Sequence, residues 1–134
     1  LVGPGDLVCC DERLHNSAWL GARQSGARVR VFAHNDWDAL EQVLRVERTR
    51  HRRALVLVEG LYSADGDSPA LAEFVRVKAA YDALLMVDEA HGYGVLGATG
   101  RGVAELVEEM GLMDRDQLAA VLAPEVLTAP RRMN

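Results

Sequence analysis

Four clusters of ionisable side chains in this 134-residue sequence follow short apolar runs: the Cys10–His15 loop, His34-Asn35-Asp36, Glu59–Ser63 and Asp88–His91. In open parallel sheets, ligands bind beyond the carboxyl ends of the strands, and these are the positions the clusters would occupy. Two of the runs, Ala54–Val58 and Leu84–Val87, are apolar throughout and are followed by a carboxylate, Glu59 or Asp88. A carboxylate at the end of a buried strand is costly unless it meets a cation or hydrogen-bond donors. The question is which ligand supplies them.

A metal-bound nucleotide is one candidate, because Leu85-Met86-Val87-Asp88-Glu89-Ala90-His91 has the form of a Walker B strand. That chemistry needs a glycine-rich phosphate loop ending in Lys-Ser/Thr. The sequence has none, and its single lysine, Lys78, has no glycine loop before it. A dinucleotide is the second candidate, from Gly92-x-Gly94-x-x-Gly97. In that fingerprint the first glycine follows the strand almost directly. Here a charged tetrapeptide intervenes and glycines continue to Gly102, which reads as a turning loop. Pyridoxal 5′-phosphate (PLP) is the third. Its pyridine nitrogen must stay protonated for the ring to accept electrons, and a strand-end carboxylate serves that need. Asp88 is placed for it, His91 could donate to the phenolic oxygen, and Ser63 could add a hydrogen bond from a neighbouring strand end.

Five blocks make the third reading specific. They are Asp11-Glu12-Arg13-Leu14-His15-Asn16-Ser17, His34-Asn35-Asp36, Glu59-Gly60-Leu61-Tyr62-Ser63-Ala64-Asp65-Gly66-Asp67, Val87-Asp88-Glu89-Ala90-His91-Gly92 and Gly97-Ala98-Thr99-Gly100-Arg101-Gly102. In order and spacing they resemble the α-oxoamine synthases, PLP-dependent enzymes of fold type I related to aminotransferases of class I and II. The resemblance implies that His15 stacks on the cofactor ring, that Ser63 hydrogen-bonds beside it, that Asp88 pairs with the pyridinium nitrogen and that His91 bonds the phenolic oxygen. It implies a loop-positioning part for Glu59. It further implies an acyltransferase that condenses an amino acid with an acyl-CoA thioester and works as a homodimer; a cytoplasmic location is expected separately, from the two cysteines.

The resemblance runs from about Gly5 to Glu105, roughly a third of a family member. The family's Schiff-base lysine belongs to a later segment, and Lys78 falls between the Ser63 and Asp88 blocks. The expectation is therefore a partial PLP-binding large domain over residues 1–105, a divergent helical tail over 106–134, and no turnover by this chain alone. An aminotransferase fragment and a non-catalytic dimerisation or regulatory remnant are the alternatives.

The elements that must position these groups alternate. Strands are predicted at Leu7–Cys10, Arg28–Phe32, Ala54–Val58 and Leu84–Val87. Helices are predicted over Asn16–Ser25, after an Asn35-Asp36 cap with Leu40, Val43, Leu44 and Val46 inward, and from Pro69 with Leu71, Phe74, Val75 and Val77 inward. Such alternation specifies an α/β fold, a mainly parallel sheet flanked by helices. The strands at Ala54 and Leu84 are expected to be buried on both faces.

Cys9 and Cys10 read as small buried thiols in a strand, suited to a reducing compartment. Asp65-Gly66-Asp67 reads as a turn without the ligand pattern of a calcium loop. The run Arg45, Arg48, Arg50, Arg52 and Arg53 reads as solvated charge near a helix end. A net charge of −5 argues against nucleic acid or an anionic membrane as partner. No apolar run reaches the roughly 20 residues that span a bilayer.

Overall fold

A computed structural model of the chain describes residues 1–93 together with 116 and 117. The chain forms two compact units, Leu1–His91 and Gly92–Asn134. The predicted glycine-rich loop beyond Tyr93, the boundary at residue 105 and the helical tail lie outside the described residues, apart from a helical Asp116-Gln117.

The first unit alternates as its sequence predicts: β1 (Leu7–Asp11), α1 (Asn16–Gln24), β2 (Arg28–Phe32), α2 (Trp37–Glu47), β3 (Ala54–Glu59), α3 (Leu71–Ala80) and β4 (Leu84–Asp88), with a short 3-10 turn at Arg48–Arg50. All strand pairs are parallel, in the order β2-β1-β3-β4. The chain therefore moves outward from β1 to β2, then crosses back and builds β3 and β4 on the other side. The order reverses between β1 and β3, which is where an open sheet splays apart at its carboxyl edge and admits a ligand.

Alternation along the central strands sorts their side chains onto two faces. Leu7 and Cys9 of β1 join Ala54, Val56 and Val58 of β3 on the face that α2 and α3 cover through Leu40, Leu44, Phe74 and Val77. Val8, Cys10, Leu55 and Leu57 lie on the other face with Ala22 of α1. Each helix begins and ends for local reasons. The Asp36 carboxylate accepts from the Ala39 amide, 2.8 Å away, and caps α2. Gly26, at φ 74°, turns the chain after α1, and a Cβ there would stand 3.3 Å from Cγ of Pro4, so both the backbone angle and the close approach favour glycine.

Four expectations need correction. Leu84 and Met86 are 48% and 46% exposed, so the face of β4 that carries them is open rather than buried, and β4 is the last strand of the sheet among the described residues. Val46 and Val75 are exposed; each helix turns only its Leu40/Leu44 or Phe74/Val77 stripe fully inward. Pro69 precedes α3 by two residues instead of opening it, and Ala70 stands at the cap. The arginine run is only partly solvated charge. The Arg48 guanidinium donates to the carbonyls of Tyr81, Asp82 and His51, and Arg52 pairs with the buried Asp6 at 2.9 Å. The Arg52 hydrogen bonds outweigh burial and, with the Gly3 amide, hold the Asp6 carboxyl down to about 2.

Candidate functional site

The polar ends of β1, β3 and β4 converge at the place where strand order reverses. Glu59 ends β3, is 2% exposed, and faces the α1 side of the sheet by alternation. Its Oε1 accepts from the backbone N–H of His15 at 2.5 Å, so the carboxylate crosses the crevice between β1 and β3 and ties down the start of α1. Its Oε2 has no hydrogen-bond partner among the described residues and lies 3.6 Å from Nδ1 of His91. The loop-positioning part expected of Glu59 has this geometry behind it.

His15 is the N-cap of α1, an unusual residue for that position. Its Nδ1 accepts from the Ser17 amide and lies 2.9 Å from the Ser17 hydroxyl. The ring's orientation is thus set by the residue two positions on, which gives a physical reason for the His-x-Ser spacing. With Nδ1 accepting, the ring proton is placed on Nε2. The exposed His15 ring lies 6.1 Å from that of His91, centroid to centroid, at 58°.

Asp88 ends β4 in register with Glu59. Its Oδ1 accepts from the Ala90 amide at 3.0 Å, which turns the chain toward His91. Asp88 forms no ion pair among the described residues. It lines a cleft of about 360 Å³ on the α1 face, floored by Val8, Leu55, Leu57 and Met86 and walled by Ser17 and Ala18. Two carboxylates on neighbouring strand ends repel one another unless a cation or donor intervenes. One face of this site is apolar, one edge is anionic, and two imidazoles stand beside it.

The structure therefore brings together His15, His91 and Glu59, with Asp88 adjoining through the β3–β4 register. Ser63 is exposed in the turn after β3, and its side chain has no hydrogen bond among the described residues. Lys78 lies on α3, which packs on the opposite face from the Asp88 cleft.

Sequence reasoning gave no part to Asp11, which is fully buried at the end of β1. It accepts from the Arg13 amide at 2.8 Å, the Asn35 amide at 2.8 Å and His34 Nδ1 at 2.9 Å. The signal was available: Asp11 opens the first polar block directly after an apolar run. His34-Asn35-Asp36 is more than a cap, since only Asp36 caps. His34 Nε2 lies 2.9 Å from Asp67, and the Asn35 amide group donates to the same carboxylate at 2.8 Å. Although His34, Asp65 and Asp67 have ligand atoms within 4.8 Å of one another, the His34–Asp67 contact is a hydrogen bond that a bound metal would displace.

A parallel sheet with a polar, cation-complementary site at its topological switch defines a ligand-binding α/β domain, and its fold matches that of PLP-dependent transferases. The chain belongs to the aminotransferase class I and II family, whose model matches residues 1–122. It is 46% identical over 106 residues to 8-amino-7-oxononanoate synthase of Methylobacterium sp. (strain 4-46), covering 79% of this chain and 28% of that protein. It is 46% identical over 113 residues to human serine palmitoyltransferase 3, covering 78% of this chain and 20% of that protein. Among solved structures, a serine palmitoyltransferase from S. paucimobilis with a bound PLP–myriocin aldimine superposes with a TM-score of 0.68 at 38% identity, over 84% of this chain and 28% of that one. The 8-amino-7-oxononanoate synthase of Francisella tularensis gives 0.58 at 29% identity, over 76% and 28%. The resemblance to α-oxoamine synthases is borne out, and these relatives are PLP-dependent. The chain spans less than a third of the length of these relatives.

Proposed function

We propose that this chain forms the ring-holding part of a PLP site in an acyltransferase of the α-oxoamine synthase type, which condenses an amino acid with an acyl-CoA thioester. The observation that carries the reading is Asp88, a half-buried carboxylate that lines an apolar cleft and has no cationic partner among the described residues. A protonated pyridine nitrogen suits that carboxylate in charge and the cleft in its mixed polar and apolar surroundings. The Glu59 Oε2, without a hydrogen bond among the described residues, and the His15–His91 ring pair fit the same group, because they add an acceptor and two imidazoles next to Ser17 and Asp88, which line the cleft.

When bound, PLP supplies an electron sink for cleaving bonds at the amino acid's α-carbon. The chain's own residues act around it. Asp88 would hold a proton on the ring nitrogen. His15, its rotation limited by Ser17, would pack against the ring. His91 would donate an imidazole N–H to the ring's oxygen substituent, and Glu59 would steady both histidines. Ser63 would add a hydrogen bond from the turn after β3. The lysine that holds the cofactor and moves the substrate proton comes from outside these 134 residues. Cytoplasmic location and pairing as a homodimer belong to this same proposal.

The test is to titrate the chain with pyridoxamine phosphate by calorimetry, then to incubate it with PLP, an amino acid and an acyl-CoA while following free CoA thiol. Saturable 1:1 binding without thiol release is the expected result. No binding up to millimolar concentrations would sink the reading. Thiol release by the chain alone would overturn its dependence on an outside lysine. In an enzyme assembled with that lysine, consumption of the amino acid by acyl-CoA supports the acyltransferase, and consumption by a keto acid with no acyl-CoA would make it an aminotransferase.

A further inference from the structure

Away from the cleft, on the side of β1 opposite to Cys10, three turns meet at one imidazole. His34 follows β2, and its side chain is 12% exposed. Its Nδ1 is bonded to Asp11 at the end of β1 and its Nε2 to Asp67 in the turn after β3. A neutral imidazole has one N–H and can donate to only one of two carboxylates; the doubly protonated ring donates to both. The groups around it are nearly all acidic or neutral. Asp11 faces it from β1, Glu12 accepts its backbone N–H from the following turn, and Asp65 and Asp67 face it from beyond β3. Tyr62 lies edge-on at 4.5 Å between centroids. The Arg13 guanidinium is paired with Asp65.

The two turns that His34 joins are the ones that lead to proposed cofactor contacts. Asp11 also holds the Arg13 amide, two residues before His15. The Asp67 carbonyl accepts from the Tyr62 amide and so closes the turn that contains Ser63. We infer that His34 is a positioning residue: as a doubly donating imidazolium it latches the turn that presents His15 to the turn that carries Ser63, and the latch opens when the ring loses a proton.

Burial alone would push the His34 pKa down, but the hydrogen bonds to Asp11 and Asp67 outweigh it and hold it above its ordinary value. The stabilisation is therefore complete below the unfolded pKa and is lost as pH rises through the raised folded value. Its consequence at His15 and Ser63 rests on the cofactor reading; the latch itself does not.

The test uses the whole 15N-labelled chain. Imidazole nitrogen shifts of His34 and exchange protection of the Arg13 and Tyr62 amides, corrected for the intrinsic rise with pH, are followed from pH 5 to 9. Both amides should lose about tenfold of their protection in one step that coincides with the His34 titration, the size expected for one charge-assisted hydrogen bond. Asp67→Asn should move all three transitions together to lower pH, and His34→Gln should abolish the step. A merely structural histidine would leave amide protection flat across its titration. Protection that is independent of His34 titration, or that changes in one turn only, overturns the inference; should His34→Gln not fold, the wild type and Asp67→Asn decide. Pyridoxamine phosphate binding is measured on the same samples. A latch that titrates as described in a chain that binds none of it refutes the cofactor reading alone.

Discussion

Removing the Glu59 carboxylate should harm the site far more than the fold. In Glu59→Ala the His15 amide loses a charged acceptor, a hydrogen bond worth about 1.5–3 kcal/mol. The contact with His91, whose side chain is 42% exposed, adds less than about 1 kcal/mol because water screens it. Against these losses stands the relief of a buried carboxylate with one oxygen unpartnered, a penalty of about 1–3 kcal/mol. The losses reach at most about 4 kcal/mol and the relief offsets at least about 1, so the variant should lose no more than about 3 kcal/mol. Urea unfolding followed by far-UV circular dichroism measures that loss. Amide exchange at His15 should meanwhile accelerate about tenfold or more, since that N–H has lost its partner. Glu59→Gln keeps an acceptor oxygen and should restore most of the His15 protection. A loss above about 4 kcal/mol would place Glu59 among the principal supports of the fold, and unchanged His15 exchange in the alanine variant would refute the tether outright.

Phe74, fully buried and 5.9 Å from the Phe32 ring between centroids, should cost about 3–5 kcal/mol when cut to alanine, measured by the same unfolding assay. Burial pushes the Cys9 thiol up to about 12 and Cys10 to about 11; both should resist a thiol-reactive dye at pH 8 and react only as the chain unfolds, whereas fast labelling of the native protein would contradict their placement. The Asp6–Arg52 pair has a pH signature of fixed sign. The folded carboxyl is held down to about 2, so its contribution is complete above the ordinary carboxylate range and fades as pH falls through about 2. Asp6→Asn should flatten that part of an acid-unfolding curve, and an unchanged acid limb would show that the pair contributes nothing.

Strand and helix order was legible because the apolar runs of β1 and β3 and the caps at Asp36 and Gly26 are local signals. The edge position of β4 was not. Leu84–Val87 has the same composition as a central strand, and only the pairing order reveals that nothing among the described residues covers its outer side. The two helical valines were misplaced for a related reason: Val75 follows the core residue Phe74 by one position, about 100° round the helix, and Val46 follows Leu44 by two, about 200° round. At the candidate site, the motif spacing singled out His15, Asp88, His91 and Glu59 as candidates, whereas the contacts of Asp11 and His34 run across 23 and 33 residues and no local pattern encodes them. Ser63 shows the converse. Its block matches, yet its exposed side chain has no hydrogen bond among the described residues.

The central claim is that Asp88 holds the protonated ring of a PLP-type cofactor. It is tested most directly by calorimetric titration of the chain and of Asp88→Asn with pyridoxamine phosphate at pH 7. Loss of a charge-assisted hydrogen bond should weaken binding about tenfold or more in the variant, with the fold intact by circular dichroism. Equal affinity in the two proteins would contradict the assignment of Asp88 and, with it, the site.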